Sequence, residues 1–266
     1  MDKICNRIDQ KLKTIRETGK KALILYITPG FPDIQTSQSI FEAVSKAGAD
    51  IIEIGVPFSD PLADGPSIQK SSFHAIRQGV TLHKCIDFLK QIRSNDIDTP
   101  IIFMGYFNPI LQYGLEAFTR DASDAGLDGL IVPDLPTEEA MPLNRACEPY
   151  DIEVIPLLAP TSTDARIKAA CANARGFIYC ISFTGVTGAR RQISSNLSGL
   201  VNRIRKYTNL PIMIGFGISN RSHVKKMEMF ADGVVVGSAL VNIISEAPKG
   251  QEVNEAIKFV QHLKGN

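Results

Sequence analysis

The sequence predicts a (β/α)8 TIM barrel with an extra N-terminal helix, and three observations lead there. Eight short apolar strands alternate with longer amphipathic stretches along the 266 residues. The strands are near-continuous apolar runs, the pattern of a parallel sheet covered on both faces. A small-residue lead-in also recurs: Ala47-Gly48-Ala49-Asp50, Ala125-Gly126-Leu127-Asp128 and Ala231-Asp232. Small residues end a helix there, glycine being free to take the left-handed backbone, and the chain turns into the next strand. An open doubly wound sheet is the competing architecture. No linker or low-complexity tract divides the sequence, so residues 1–266 are expected to form a single domain.

The elements follow in order. Residues 4–18 form an amphipathic helix expected to cap the bottom of the barrel. Strands are expected at 22–28, 50–55, 100–104, 129–132, 153–158, 177–181, 211–216 and 233–237. Helical stretches lie between them, for example 40–46, 82–93, 115–123 and 224–229. A chain of this length is a common size for one barrel.

Composition removes several function classes. Hydrophobic residues make up 44% and charged residues 21%, with a net charge of only +1, so a broad electrostatic footprint for nucleic acid is absent. No apolar run approaches the roughly 20 residues that a membrane helix needs. The start, Met1-Asp2-Lys3-Ile4, lacks the apolar stretch and cleavage site of a signal peptide. The five cysteines are odd in number, scattered and without a Cys-x-x-Cys pair, which fits reduced thiols in a cytoplasmic protein.

Glu53 is the first candidate for chemistry. It interrupts the apolar run from Asp50 to Val56, and alternation with Ile52 and Ile54 points it into the barrel. An acid in such a strand is costly to desolvate, which pushes its pKa above the free value of roughly 4.3. A structural carboxylate bonded to backbone is the other reading. One loop later stands Asp64, in an Asp-Gly-Pro turn whose Pro66 suits the start of a helix. A turn-and-cap role competes with a catalytic one there. Asp60, in the same loop, reads as a loop-shaping or contact residue.

Chemistry in such barrels sits at the C-terminal strand ends. Three glycine-containing segments follow the late strands: Thr184-Gly185-Val186-Thr187-Gly188, Gly215-Phe216-Gly217-Ile218-Ser219 and Gly237-Ser238-Ala239-Leu240. Glycine lets backbone amides approach a ligand closely, and a helix N-terminus adds favourable dipole for an anion. The loops after strands seven and eight are the usual phosphate site of this fold. Ser238 offers a hydroxyl to the anion or a cap to a short helix. Tyr179, on the sixth strand, is either a plain core residue or an inward phenol in need of a partner. Tyr106-Phe107-Asn108-Pro109 and Pro133-Asp134-Leu135-Pro136 read as stiff loops on the same rim.

Absences narrow the chemistry. His74, His83, His223 and His262 fall in helical stretches, so no metal cluster is visible. No lysine lies in or just after a predicted strand, which argues against carbon–carbon cleavage through a Schiff base. Acid–base chemistry by carboxylates on a phosphorylated substrate remains.

The stretch from Glu53 to Gln69 (Glu-Ile-Gly-Val-Pro-Phe-Ser-Asp-Pro-Leu-Ala-Asp-Gly-Pro-Ser-Ile-Gln), followed in order by the rim segments above, resembles the tryptophan synthase α subunit family, and the likeness runs through essentially the whole chain. The resemblance implies a carbon–carbon lyase that cleaves indole-3-glycerol phosphate to indole and D-glyceraldehyde 3-phosphate. It matches Glu53 to the family's general acid/base and Asp64 to the carboxylate that bonds the indole N–H, with Tyr179 beside Glu53. Gly188, Gly217, Gly237 and Ser238 match the phosphate positions. Tyr26, Ile68 and Phe216 match the indole pocket, where Tyr26 adds a hydroxyl.

The resemblance also implies a β subunit in an α2β2 assembly. The partner holds pyridoxal phosphate and receives indole for L-tryptophan synthesis, and no cofactor is expected in this chain. Asp60, Pro61, Asn108 and Asp134 would lie at or near the contact. Phe183-Thr184 and Arg190-Arg191 depart from the family pattern in the loop expected to close over substrate. Two other functions compete: a catalytically weak regulatory subunit that activates its partner, and another phosphate-binding barrel enzyme. The missing strand-end lysine speaks against an indole-glycerol-phosphate synthase.

Overall fold

The chain, as a computed structural model, is described over residues 6–181, 190–215 and 217–265, with backbone alone over 190–196. Nine strand segments lie in one sheet: β1 (Ala22–Ile27), β2 (Ile51–Gly55), β3 (Ile101–Met104), β4 (Gly129–Ile131), β5 (Glu153–Val154), β6 (Leu157–Leu158), β7 (Ile178–Ile181), β8 (Ile212–Gly215) and β9 (Gly233–Val236). The order is β5-β4-β3-β2-β1-β9-β8-β7-β6, with every pair parallel. β5 and β6 are the two halves of the fifth predicted strand. Pro156 between them has no N–H to donate, and the ladder breaks there. Ile155 N–H still reaches Leu130 O at 2.9 Å, and Tyr179 N–H reaches Pro156 O at 3.1 Å. The ring therefore closes through residues 153–158, as a (β/α)8 barrel.

Helices clothe the ring: α1 (Arg7–Glu17), α2 (Ile34–Ala47), α3 (Pro66–Arg77), α4 (Leu82–Ser94), α5 (Phe107–Tyr113), α6 (Leu115–Asp124), α7 (Met141–Cys147), α8 (Asp164–Asn173), α9 (Arg190–Ile204), α10 (Arg221–Glu228), α11 (Ser238–Glu246) and α12 (Glu252–Lys264). The expected helical stretches all lie on helices, differing by a few residues at the ends. Phe107, Asn108 and Pro109 form the first turn of α5 rather than a loop, because Tyr106 is extended and Pro109 is tolerated in a first helical turn. The four histidines lie on α3, α4, α10 and α12. Cys85, Cys147, Cys171 and Cys180 are buried thiols.

The recurrent lead-in has a physical cause. Gly48 and Gly126 take positive φ, at 116° and 88°. The aspartate after each small-residue turn accepts the backbone N–H at the start of the neighbouring strand. Asp50 accepts from Leu23, Asp128 from Ile101 and Asp232 from Ile212, each at 2.8 Å. A cation then neutralises each buried or half-buried carboxylate: Lys264 for Asp50, Arg93 and Arg7 for Asp128, and Arg205 for Asp232. The motif thus fixes strand register at the floor of the barrel.

Two apolar layers result. Leu23, Leu25, Ile52 and Ile54 face the helices. Ile24, Ile51, Ile102, Ile131, Ile155, Met213 and Val235 fill the interior, joined from below by Ile8, Leu12 and Ile15 of α1. The N-terminal helix therefore plugs the floor as expected, each such side chain contributing about 1.5–3 kcal/mol by leaving water. Asn6 anchors its start, donating to Asp128 O at 2.9 Å and Asp151 O at 2.6 Å. With the floor plugged and the interior packed, the space for a ligand is left at the C-terminal mouth.

Candidate active site

Glu53 sits in β2 with Tyr26 of β1 and Ile102 of β3 as its register partners. Ile52 and Ile54 pack outward against the helices, so the intervening carboxyl faces inward. It is 1% exposed, and its Oε1 has no hydrogen-bond partner. Burial pushes its pKa up to about 8, with no cation among the described residues opposing the rise. A neutral carboxyl at pH 7 is an acid ready to give its proton.

Two tyrosines flank it. Tyr26 is 6% exposed and Tyr179 is 7% exposed. Each ring needs a strand-end glycine: a Cβ at Gly55 would collide with the Tyr26 phenol, and one at Gly215 with the Tyr179 phenol. Burial, and then the charges of Glu53 and Asp64, hold both phenols well above the ordinary tyrosine range. Both rings thus sense both carboxylates. Thr28 donates to the Tyr26 oxygen at 3.5 Å and is itself 2.9 Å from Ser71 Oγ on α3.

Asp64 is half-buried on the loop from β2 to α3. Burial raises its pKa to about 6, and a hydrogen bond from the Tyr106 hydroxyl opposes the rise. Three side chains hold this loop. Tyr106 accepts the Ala63 N–H at 2.9 Å and stacks on Phe58 with centroids 5.1 Å apart. Gln69 donates to Asp64 O at 3.0 Å and Pro61 O at 3.3 Å. Ser72 accepts from Phe58 N–H at 3.0 Å. Pro66 starts α3, as the Asp-Gly-Pro turn predicts, but Asp64 does not cap it: the N-cap is Gly65, with no side-chain cap bond. The cap half of the turn-and-cap reading is thereby set aside, while the Asp64 N–H closes a turn on Pro61 O at 3.0 Å.

The ends of β8 and β9 form the other side. Gly217 has φ +52°, the left-handed region that glycine suits. Gly237 is the N-cap of α11, whose first residue is Ser238, and no side chain caps this helix. Its first N–H groups and dipole remain available to an anion. By contrast, α10 is closed by Asn220, which accepts from His223 N–H at 3.0 Å. A Cβ at Gly237 would lie 3.4 Å from Tyr26 Cβ and 3.6 Å from Ile68 Cδ1. The N-terminus of α11 therefore adjoins Tyr26 and Ile68.

The profile of the family described as tryptophan synthase alpha chain matches residues 12–265. This chain belongs to that family. The tryptophan synthase alpha chain of Roseiflexus sp. (strain RS-1) is 46% identical over 260 residues, 98% of this chain and 100% of the relative. That of Thermoanaerobacter sp. (strain X514) is 45% identical, covering 97% of this chain and 98% of its own length. The crystal structure of tryptophan synthase subunit alpha from Legionella pneumophila str. Paris superposes with a TM-score of 0.90 at 34% identity, over 98% of both chains. Mycobacterium tuberculosis tryptophan synthase gives 0.89 at 36% identity, again over 98% of both.

Within this alpha-chain barrel, Glu53, Asp64, Tyr179, Tyr26, Ile68, Gly217, Gly237 and Ser238 lie at or lead into the mouth. Gly188 and Phe216 lie outside the described residues, as do Phe183 and Thr184. Asp60, Asn108 and Asp134 are exposed on one rim, and Asp134 accepts the Phe107 N–H of α5 at 2.9 Å. Pro61 is buried, and its neighbour Leu62, 94% exposed, carries the apolar surface of that loop. Sequence reasoning missed Tyr106 as the partner of Asp64, reading it only as part of a stiff rim loop. Nothing in linear spacing links residues 64 and 106; the β2–β3 pairing does. Among the described residues, no three His, Cys, Asp or Glu side chains gather as a metal site.

Tyr106→Phe removes the hydroxyl that favours the Asp64 carboxylate. The Asp64 midpoint, followed by carboxyl carbon-13 NMR, is expected to move upward from about 6. An unmoved or lowered midpoint would show that Tyr106 does not tune it.

Proposed function

We propose that this chain is the α subunit lyase of a tryptophan synthase, cleaving indole-3-glycerol phosphate with Glu53 as the proton shuttle and Asp64 as the charge stabiliser. The family supports the reaction. The observation that carries the residue roles is the pair of carboxyls in one mouth with separated proton affinities, about 8 for Glu53 and about 6 for Asp64. Between those values one is neutral and the other charged, the division an acid and an anion need.

The steps balance. Glu53 gives its proton to indole C3, which becomes tetrahedral, and positive charge develops at the ring nitrogen. Asp64 accepts the N–H bond and stabilises that charge. The Glu53 carboxylate then takes the proton of the adjacent glycerol hydroxyl. The carbon–carbon bond breaks, its electron pair restores the aromatic ring, and the hydroxyl carbon becomes the aldehyde. Glu53 ends protonated, ready for another cycle. Tyr26 and Ile68, with Phe216, line the indole pocket, and Tyr179 packs beside Glu53. The amides at Gly217, Gly237 and Ser238, with Gly188, hold the phosphate through backbone N–H groups and the α11 dipole.

The chain works with a β subunit in an α2β2 assembly, and pyridoxal phosphate belongs to that partner. Asp60, Asn108 and Asp134, with the loop containing Pro61, form the contact rim. The family's place in tryptophan synthesis supports a cytoplasmic setting.

Glu53→Gln is expected to lower indole release by roughly 10²–10⁴ while a substrate analogue still binds. Retained turnover would remove Glu53 from the mechanism. The wild-type profile of kcat/KM against pH is expected to be bell-shaped. It falls below about 6 as Asp64 takes a proton and above about 8 as Glu53 loses one. A profile flat from pH 5 to 9 would contradict the assignment.

A further inference from the structure

Three buried hydroxyls run from the mouth into the helical layer, and two of them, on Thr28 and Ser71, have no part in the proposed reaction. Thr28 follows β1 directly and by alternation shares a face with Tyr26, two residues earlier. Valine has the shape of threonine and suits a strand end without burying a hydroxyl, so a threonine there requires partners. It has two. Its Oγ1 donates to the Tyr26 oxygen at 3.5 Å and lies 2.9 Å from Ser71 Oγ on α3. Each hydroxyl has one proton. With the Thr28 proton on Tyr26, the Ser71 proton serves Thr28. Ile68 O, also 2.9 Å from Ser71 Oγ, lies inside α3, where the helix supplies a donor of its own.

Tyr26 is bounded on its other sides. Its oxygen lies against Gly55, which has no room for a Cβ, and its Cβ is 3.4 Å from the place that a Cβ at Gly237 would take. Its register partner on β2 is Glu53. The ring therefore stands between the acid and the start of α11. The helix that carries Ser71 also fixes the Asp64 loop: Gln69 donates to Asp64 O at 3.0 Å, and Ser72 accepts the Phe58 N–H at 3.0 Å. We propose that Thr28 and Ser71 are positioning residues for the aromatic ring of the substrate, holding the Tyr26 wall of its pocket in place relative to Asp64 through α3. This inference rests on the reading of the mouth as an indole pocket.

The two ends of the mouth then respond differently to the hydroxyl chain. Loss of the Thr28 hydroxyl frees the phenol end of Tyr26 but removes no N–H at Gly217 or at the start of α11. Ring binding weakens, and anion binding holds. Thr28→Ser keeps the hydroxyl and gives up only a methyl group, so it restores the chain. A Thr28 that merely packed would follow its methyl instead.

Two probes separate these ends in the full chain, indole for the aromatic pocket and glycerol 3-phosphate for the anion end, each titrated to equilibrium by ligand-observed NMR. Thr28→Val, Ser71→Ala and Tyr26→Phe are each expected to weaken indole binding roughly two- to tenfold, the worth of one hydrogen bond. The double variant of Thr28→Val with Tyr26→Phe should lose no more than either alone, because both break the same chain. Glycerol 3-phosphate should bind unchanged throughout, and Thr28→Ser should bind indole as the wild type does. Wild-type indole affinity in Thr28→Val or Tyr26→Phe, additive losses, an equal loss for both probes, or a Thr28→Ser variant as weak as Thr28→Val overturns the proposal. Tyr26→Phe keeps the ring and decides alone should Thr28→Val fail to fold. A wild type that binds neither probe overturns the reading of the mouth, and this inference with it.

Discussion

Everything at the mouth of this barrel depends on one desolvated carboxyl. Glu53 is held in a parallel strand between Ile52 and Ile54, and those two isoleucines lock the register that turns it inward. Among the described residues no cation answers it, and one oxygen has no partner. Leaving an ionised group there would be costly, so the group stays protonated near neutral pH. That single constraint converts a structural liability into an acid. The flanking phenols and strand-end glycines then shape the space around it: Tyr26 occupies the volume that a side chain at Gly55 would need, and Tyr179 does so at Gly215.

Asp64 shows the complementary solution. It sits on a loop rather than a strand, is half-buried, and has a hydroxyl donor in Tyr106. Its proton affinity therefore stays below that of Glu53, though both carboxyls feel burial. The loop is not loose. Gln69, Ser72 and the Tyr106–Phe58 stack fix it to α3 and to the end of β3. Two acids of similar intrinsic strength are thus separated by where the chain places them and by what donates to them.

Much of this was legible in the linear sequence, for physical reasons. Apolar runs of strand length gave the eight strands, and the lead-in aspartates marked strand starts because each accepts a backbone N–H of the preceding, neighbouring strand. The inward direction of Glu53 followed from the period of two. The small residues at Gly217 and Gly237 marked a left-handed turn and the uncapped start of α11, which glycine permits. Other features were hidden. Pro156 splits a strand whose composition still reads as continuous. Pro61 turns in and Leu62 out, a matter of loop geometry that composition does not encode. Tyr106 joins Asp64 only through the pairing of β2 with β3. Contacts between residues distant in sequence were the ones that periodicity could not supply.

The central claim is that Glu53 is a neutral acid at physiological pH because its strand buries it without a partner cation. Carbon-13 labelling of the glutamate side-chain carboxyls, with Glu53→Gln to assign the resonance, reads its titration directly in the ligand-free chain. A midpoint near 8 is predicted. A midpoint at the ordinary glutamate value, about 4.3, would mean that water or an unrecognised donor reaches the carboxylate, and the account of the mouth would be wrong.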